Sequence, residues 1–526
     1  MTRNIKQIKT LIAAPAMGKT HAVIEKLSHT DDRAVIACIS KVLAEQTHQD
    51  LIDKGVNATL IYSDNSKSVG SDIEQELNKH INISGTQVIV TCHAGIWFLK
   101  GKTDNYNQQI PNIYSDWDLY IDEVPSIVNF TSVPMDFGNM HYDEWTEVGT
   151  DKNSTRRKFK LCNATGFISK ICKEKRSNPG LGTFKPEVYG LFNTLYQGRT
   201  ITLDTAPDKR TGKPKNRLHF LEYKDAETTM NMFSSTTIMA ANIHNTIDAL
   251  FLNSVFKYSF VDSEILPSRS SYPSVDRITI YPLLGVNHTR TLEEKLIDGQ
   301  EVYSLMKSSA LKIAGNQPAI YTVNENRKAI NNQGWRKDDK LVPYNAQGIN
   351  SYSDVNVAIS LFRYNPSSDH IVMLTELAEK LNIESDKLIE AFIVSKSLEP
   401  MFQLLTRTSI RNMECKLGIK WIVSDERAVK YLTEGYFKGA NVNRDYVIDI
   451  PKATLNKQAE DRAQKDSLWR AEVGKLLAAD SNISINKTLH QLKLVLCENA
   501  PSRTKCYTLL KELRPLYTQV ELKLAA

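Results

Sequence analysis

No window of this sequence approaches the ~18 apolar residues that a membrane span requires, and no long apolar stretch follows the opening Met1-Thr2-Arg3-Asn4-Ile5-Lys6. Neither membrane insertion nor export is therefore expected. Cysteine is sparse. Cys38, Cys92, Cys162, Cys172, Cys415, Cys497 and Cys506 are scattered, odd in number and never spaced C-x-x-C, which argues against a disulfide framework and a zinc site and fits a reducing, cytoplasmic setting. Internal repeats and low-complexity tracts are missing as well. Charge of one sign is weak: a net +6 spread over 526 residues does not by itself point to a nucleic-acid partner.

What is present is a globular composition, 41% hydrophobic and 24% charged, on a chain too long for one growing core, so two or three domains are expected. From Lys9 to about Ile127 short apolar strands alternate with helical stretches: Leu11 to Ala13, Ala34 to Ile39, Ala58 to Tyr62, Gln87 to Thr91 and Leu119 to Ile121. That is the α/β pattern of a parallel sheet wrapped by helices. The rhythm breaks over 128–233, read as an insertion or subdomain, and resumes at Thr236 to Ala240. A second run of strands and helices, 270–450, includes Ala319 to Val323, Val355 to Phe362, and Trp421 to Ser424 with the helix-like Glu426 to Leu432. The expected division is thus 1–250, 270–450, and a helical C-terminal region 451–526.

Two local features leave alternatives open. Between Asp151 and Pro186 there are ten Lys or Arg against two acids, with Arg156-Arg157-Lys158, Lys160, Lys173, Lys175 and Arg176 in clusters. This is either a solvated loop face or a phosphate-contacting surface, where Phe159 and Phe167 would either stack bases or belong to the core. The amphipathic segments Ser484 to Leu496 and Ser502 to Leu513 make either a helical bundle, the commoner outcome, or a helix-turn-helix reader.

The chemistry is concentrated at Ala13-Ala14-Pro15-Ala16-Met17-Gly18-Lys19-Thr20, which satisfies the P-loop form A/G-x-x-x-x-G-K-[ST] between an apolar strand and a helix. A turn of backbone N–H groups at a helix start suits phosphates, Lys19 can reach the outer ones, and the Thr20 hydroxyl can ligate Mg2+. The glycines usual before Gly18 are replaced by Ala16 and Met17, which leaves the loop less freedom at positive φ. A hundred residues on, Leu119-Tyr120-Ile121-Asp122-Glu123 supplies Asp122 to hold the metal and Glu123 to polarise the attacking water. With Glu123 in that role, His93 reads as a packing residue.

In their order, these motifs resemble those of superfamily 2 helicases. Ala34 to Gln46 is similar to motif Ia, Val88-Ile89-Val90-Thr91-Cys92-His93-Ala94 to the strand preceding motif II, and Asp122-Glu123-Val124-Pro125 occupies the DExx position. Thr237-Ile238-Met239-Ala240-Ala241-Asn242 stands where motif III is expected, with Ala-Ala-Asn in place of Ser/Thr-Ala-Thr. Gln347-Gly348-Ile349-Asn350 looks like motif V. Gln403-Leu404-Leu405-Thr406-Arg407-Thr408-Ser409-Ile410-Arg411 resembles motif VI, although Thr406 replaces its glycine and the second arginine comes one residue late.

The resemblance implies two RecA-like parallel-sheet domains in tandem, with an insertion in the first and a helical C-terminal region. It also implies ATP and Mg2+ as cofactors, with Gln403 beside the nucleotide. Arg407 and Arg411, four apart on an expected helix and so on one face, would carry positive charge to the γ-phosphate, where phosphoryl transfer spreads negative charge. Nucleic acid, DNA first, would be held through its phosphates, with Ser40, Thr91, Gly348 and Asn350 as contacts. The function so implied is an ATP-dependent translocase or helicase of phage or mobile-element type, in the host cytoplasm if phage-encoded, working in replication or recombination with partner proteins of those processes. A DNA-packaging motor ATPase and a nucleotide-switched clamp are the alternatives.

Overall fold

Strand β2 (Arg33–Cys38) is buried at all six positions and β4 (Val88–Cys92) at its first four, the signature of strands covered on both faces. In the computed structural model, the described residues are 6–79, 87–99, 113–134, 145–150, 157–161, 194, 201–207, 214–272, 275–324, 334–344, 352–412, 414–451, 468–480, 482–496, 501, 506 and 509–514. They form two compact units: Met1–Thr131 with Leu221–Ile448, and Ser132–Phe220 with Asp449–Ala526.

The first unit holds two parallel sheets. In the first sheet β1 (Gln7–Ile12), β2, β3 (Ala58–Leu60), β4 and β5 (Tyr114–Asp122) are joined by β11 (Phe233–Ala240) and β12 (Ser259–Asp262), in the order β12-β1-β11-β5-β2-β4-β3. Every pairing is parallel, and the register sets Ile12 against Ala240 and Asp122 against Met239. The carboxyl ends of β1, β5 and β11 therefore lie side by side, which is where an open parallel sheet binds its ligand. The second sheet contains β13 (Ile278–Leu284), β16 (Ala319–Thr322), β17 (Lys340–Leu341), β18 (Val357–Ser360), β19 (Ile419–Asp425) and β20 (Asn441–Val442), again all parallel, in the order β17-β16-β18-β19-β13-β20. Between β13 and β16 a short hairpin pairs β14 (Leu296–Ile297) with β15 (Gln300–Glu301). The expected α/β architecture, two parallel sheets in tandem, is what the chain has.

One core of the first sheet buries Val23, Ile24 and Leu27 from helix α1 (Lys19–His29) and Ala44 and Leu51 from helix α2 (Lys41–Asp53). Its other core buries Ile121, Ile127 and Phe251 together with Leu374, Leu377, Leu388 and Phe392. The last four lie on helices Ser368–Leu381 and Ser385–Ile393, which fall in sequence between β18 and β19 of the second sheet. The second sheet's core contains Ile280, Phe402, Trp421 and Phe437.

The parallel alternation stops after β5. A five-stranded sheet follows, β6-β10-β9-β8-β7, from β6 (Val128–Pro134), β7 (Trp145–Thr150), β8 (Arg157–Leu161), β9 (Ile201–Pro207) and β10 (Pro214–Tyr223); β7–β8, β8–β9 and β9–β10 pair antiparallel. Toward the C-terminus Val473, Leu477, Leu492, Cys506, Leu509 and Leu510 close a small helical cluster of their own, including helix Ile485–Leu496. Residues 502–505 of the second amphipathic segment lie outside the described residues, as do Phe167, Lys173, Lys175 and Arg176. No described helix is long and apolar enough to cross a membrane.

Candidate active site

Where β1 ends, the Ala13 N–H donates to Ala240 O at 3.2 Å, and the chain turns through Ala14 to Gly18 into α1. Gly18 is left-handed at φ 79° and ψ 32°, and no side chain caps the helix there, so the first amides of α1 are free to meet an anion. Ala16 takes φ 64° in spite of its Cβ. The positive φ that glycine usually supplies is reached here at a strain of ~1–2 kcal/mol.

The buried Lys19 ammonium donates to Ala13 O at 2.7 Å and to Ala14 O at 3.4 Å, holding the loop around itself. The Thr20 hydroxyl donates to Asp122 Oδ2 at 3.2 Å. A hydroxyl and a carboxylate side by side match what Mg2+ asks of protein in a phosphate site, so Thr20 and Asp122 fit the metal. Glu123, the residue after β5, is at φ 69°, with its N–H on Met239 O at 2.8 Å; strained backbone of this kind is found where a side chain must be aimed. Burial pushes its carboxyl up to about 8, with Asp122 and Glu399 adding to the rise against Lys19 and Gln403. Burial also raises Asp122.

From the second sheet come Gln403, Arg407 and Arg411. The expected helix carrying both arginines is not there: the helix ends at Leu405, Thr406 to Thr408 turn, and Ser409–Arg411 is a short 3-10 stretch. Thr406 closes the helix by donating its hydroxyl to Phe402 O at 3.0 Å, and Arg411 Nε donates to Thr406 O at 2.7 Å. Both guanidinium groups nevertheless line the same cavity of about 210 Å3 as Gly18, Lys19, Thr20, Asp122, Glu123 and Gln403. Pro15, Ala16, and Gln46 and Thr47 of α2 also border it. Burial and the neighbouring Arg411 press Arg407 well below the usual arginine range, and burial also lowers Arg411. Two crowded, desolvated guanidinium groups facing a cleft form a surface that an anionic ligand would relieve.

The remaining expected residues fall differently. Met17 is buried and packs in the core of the second sheet with Ile280 and Phe402, so it ties the loop to that sheet and leaves the cavity to its neighbours. Ser40 is the N-cap of α2, its Oγ accepting from Leu43 N at 3.3 Å. Thr91 corrects an expectation. It is wholly buried, and a Cβ on Gly95 would stand 2.3 Å from its hydroxyl, so it is sealed away from any nucleic acid. Gly348 and Asn350 lie outside the described residues. His93 Nε2 meets Asp122 O at 2.8 Å, and burial lowers its imidazole to about 4, as befits a neutral packing histidine.

Several residues were not foreseen. Ser268 Oγ donates to Gly18 O at 3.2 Å, Arg269 N donates to Met17 O at 3.1 Å, and the Tyr272 hydroxyl donates to Pro15 O, so the segment joining the two sheets is stitched across the P-loop. Glu399 and Tyr431 stand behind Gln403. The one sequence signal was the i, i+4 spacing of Glu399 to Gln403 on a helix.

No family model and no curated protein matches the chain. Among solved structures it is similar to S. tokodaii Xpd4, at 10% identity over 83% of this chain and 96% of that one with a TM-score of 0.48. It is also similar to an XPD in its apo form, at 11% identity over 84% and 98% with a TM-score of 0.46. A third is S. cerevisiae Dbp5 bound to RNA and ADP BeF3, at 10% identity over 84% and 86% with a TM-score of 0.35.

Proposed function

We propose that this chain hydrolyses ATP in the cavity between Lys19 and Arg407 and uses the hydrolysis to move along nucleic acid, DNA in the first instance, as a translocase or helicase. One observation carries the reading. Lys19, Thr20, Asp122 and Glu123, at the carboxyl ends of the first sheet, and Gln403, Arg407 and Arg411, reached through the second, converge on one cavity. Phosphoryl transfer needs little covalent chemistry from a protein and much positioning and charge, which is what these residue types offer.

In this reading the α1 amides and Lys19 take the phosphates, Lys19 exchanging its two loop carbonyls for phosphate oxygens. Thr20 and Asp122 hold Mg2+, which when bound neutralises charge on the outer phosphates. Glu123 accepts a proton from the attacking water, and Arg407 and Arg411 meet the charge that spreads over the γ-phosphate. Residues reaching one cavity from two sheets link hydrolysis to the relation between the sheets, and a change in that relation is what moves a nucleic acid held across both.

The test is ATP turnover measured alone and with single-stranded DNA, duplex DNA or RNA. Stimulation that vanishes in Lys19→Ala is expected, largest with DNA; no turnover under any condition refutes the reading. A nucleotide-switched clamp is the second reading, favoured by Ala240-Ala241-Asn242 at the motif III position. Strand displacement measured beside turnover separates the two, since a clamp hydrolyses slowly and displaces nothing.

A further inference from the structure

The helix leading to Gln403 is wound as a π-helix over Val394–Leu398, and Glu399 is the first residue beyond it. Glu399 is 8% exposed and does not line the cavity. It is nevertheless one hydrogen bond from a residue that does. Gln403 Nε2 stands 3.1 Å from Glu123 Oε1 and 3.2 Å from Glu399 Oε1. A primary amide has two N–H hydrogens, and here each has one carboxylate. With both carboxyls ionised, as Glu123 must be to take a proton from water, turning the amide over would set its carbonyl oxygen against two acceptors, so the pair of carboxylates fixes which face Gln403 shows to Glu123.

The other Glu399 oxygen is held in turn. The Tyr431 hydroxyl donates to Glu399 Oε2 at 2.6 Å and accepts from Asn242 Nδ2 at 3.2 Å. Asn242 follows β11, so the chain of bonds leaves the first sheet at Asn242, passes through Tyr431, Glu399 and Gln403, and returns to it at Glu123.

We propose that Glu399 is a positioning residue for Glu123: by fixing the Gln403 amide it sets where the Glu123 carboxylate points, and through Tyr431 and Asn242 it makes that aim depend on how the second sheet's helices meet the loop after β11. This inference rests on the reading that Glu123 activates water for ATP hydrolysis. A buried carboxylate beside another carboxylate is a costly way to fill space, and burial raises Glu399 itself. An apolar side chain would fill the place at lower cost but could not accept from Gln403 and Tyr431.

The experiment is steady-state ATP turnover of the full-length protein at saturating single-stranded DNA, giving kcat and KM separately. Because Glu399 does not border the cavity, Glu399→Leu is expected to lower kcat about tenfold or more while KM for ATP stays within about twofold. Glu399→Gln keeps an acceptor for Gln403 and is expected to recover most of that kcat. Since Glu399 acts through Gln403, the double variant Glu399→Leu with Gln403→Leu is expected to be no slower than Gln403→Leu alone. Wild-type kcat in Glu399→Leu, a change confined to KM, or losses that multiply in the double variant each overturn the proposal. Should Glu399→Leu fail to fold by circular dichroism, Tyr431→Phe, which removes one oxygen, takes its place in the same cycle: a fall in kcat that does not multiply with Gln403→Leu supports the proposal, and an unchanged kcat or a multiplied loss overturns it. A wild-type protein that hydrolyses nothing overturns this inference and the proposed function together. Turnover that Lys19→Ala abolishes and Glu399→Leu leaves untouched overturns this inference alone.

Discussion

Gly18→Ala is expected to cost this protein its nucleotide while leaving its fold intact. Gly18 sits at φ 79°, where an L-residue with a Cβ is strained by ~1–2 kcal/mol. The added Cβ would also lie 2.7 Å from both Cβ and Oγ of Ser268, closer than real Cβ atoms come, so Ser268 must retreat. Its hydroxyl then gives up its bond to Gly18 O and its contact with His21 Nδ1, both 3.2 Å, exposed interactions worth together about 1 kcal/mol. Summed, the penalty is about 2–3 kcal/mol, which is roughly 30- to 150-fold in affinity if the nucleotide demands the loop as it stands. Without ligand the loop can relax, so the thermal midpoint should move little. Titration with a non-hydrolysable ATP analogue, beside a melting curve, reads both quantities. Adding Ser268→Gly should return the contact portion and leave the backbone portion. Wild-type affinity in Gly18→Ala would refute the reasoning, because it would mean that the loop which binds phosphate is not this one.

Ala16→Gly, which relieves the φ of 64°, should tighten nucleotide binding by up to about tenfold in the same titration. Lys19→Ala, Glu123→Gln and Arg407→Ala should each abolish nucleic-acid-stimulated turnover with circular dichroism unchanged; unchanged turnover in Arg407→Ala removes the role given to that arginine. Asp248 accepts from the buried amides of Ile127 and Val128 at 2.6 and 3.0 Å, and Asp248→Ala leaves both unpaired, a loss of ~2–5 kcal/mol readable by urea denaturation. Burial holds Glu123 above the ordinary carboxylate range, and it must be deprotonated to take a proton from water, so kcat/KM should climb with pH through neutrality; a flat profile contradicts the assignment. The same shift has the opposite sign for stability: a carboxyl that binds its proton more tightly when folded contributes fully below its ordinary 4.5 and loses that contribution as pH rises through about 8.

What could be read in advance follows from which residues act locally. Six of the seven strands of the first sheet are legible as apolar runs, β2 and most of β4 because they are buried on both faces, and the P-loop because its chemistry is contiguous from Ala13 to Thr20; β12, which has no fully buried position, gives no such run. Thr91 misled because a hydroxyl at the end of a strand looks available to solvent, whereas Gly95 lets a helical turn close over it. Arg407 and Arg411 border one cavity, but not through the expected helical spacing: the helix ends at Leu405, and the turn with Arg411 Nε on Thr406 O brings them there instead. Tyr431 and Ser268 could not be found from sequence, since each gains its role from a partner between 32 and 250 residues away along the chain, and Glu399 offered only its i, i+4 spacing to Gln403, which carries no meaning until Tyr431 closes on its other oxygen. Ser268 lies in the connection between the sheets, where nothing in composition marks it.

The π-helical stretch accounts for how one helical run serves two cores. Leu388, Ala391 and Phe392 are buried in a core of the first sheet, while Val394, Leu398, Met401, Phe402 and Leu405 are buried in the core of the second. A regular α-helix keeps one apolar stripe on one side, because residues three and four apart stack on the same face. Winding Val394–Leu398 as a π-helix inserts an extra residue into the turn, so the buried face after it is rotated from the face before it. The rotation passes the helix from one core to the other and sets Glu399 and Gln403, four apart, on a common side toward Glu123. The aim of the Gln403 amide is therefore tied to packing on both sheets at once, which a loop carrying the same side chain could not achieve.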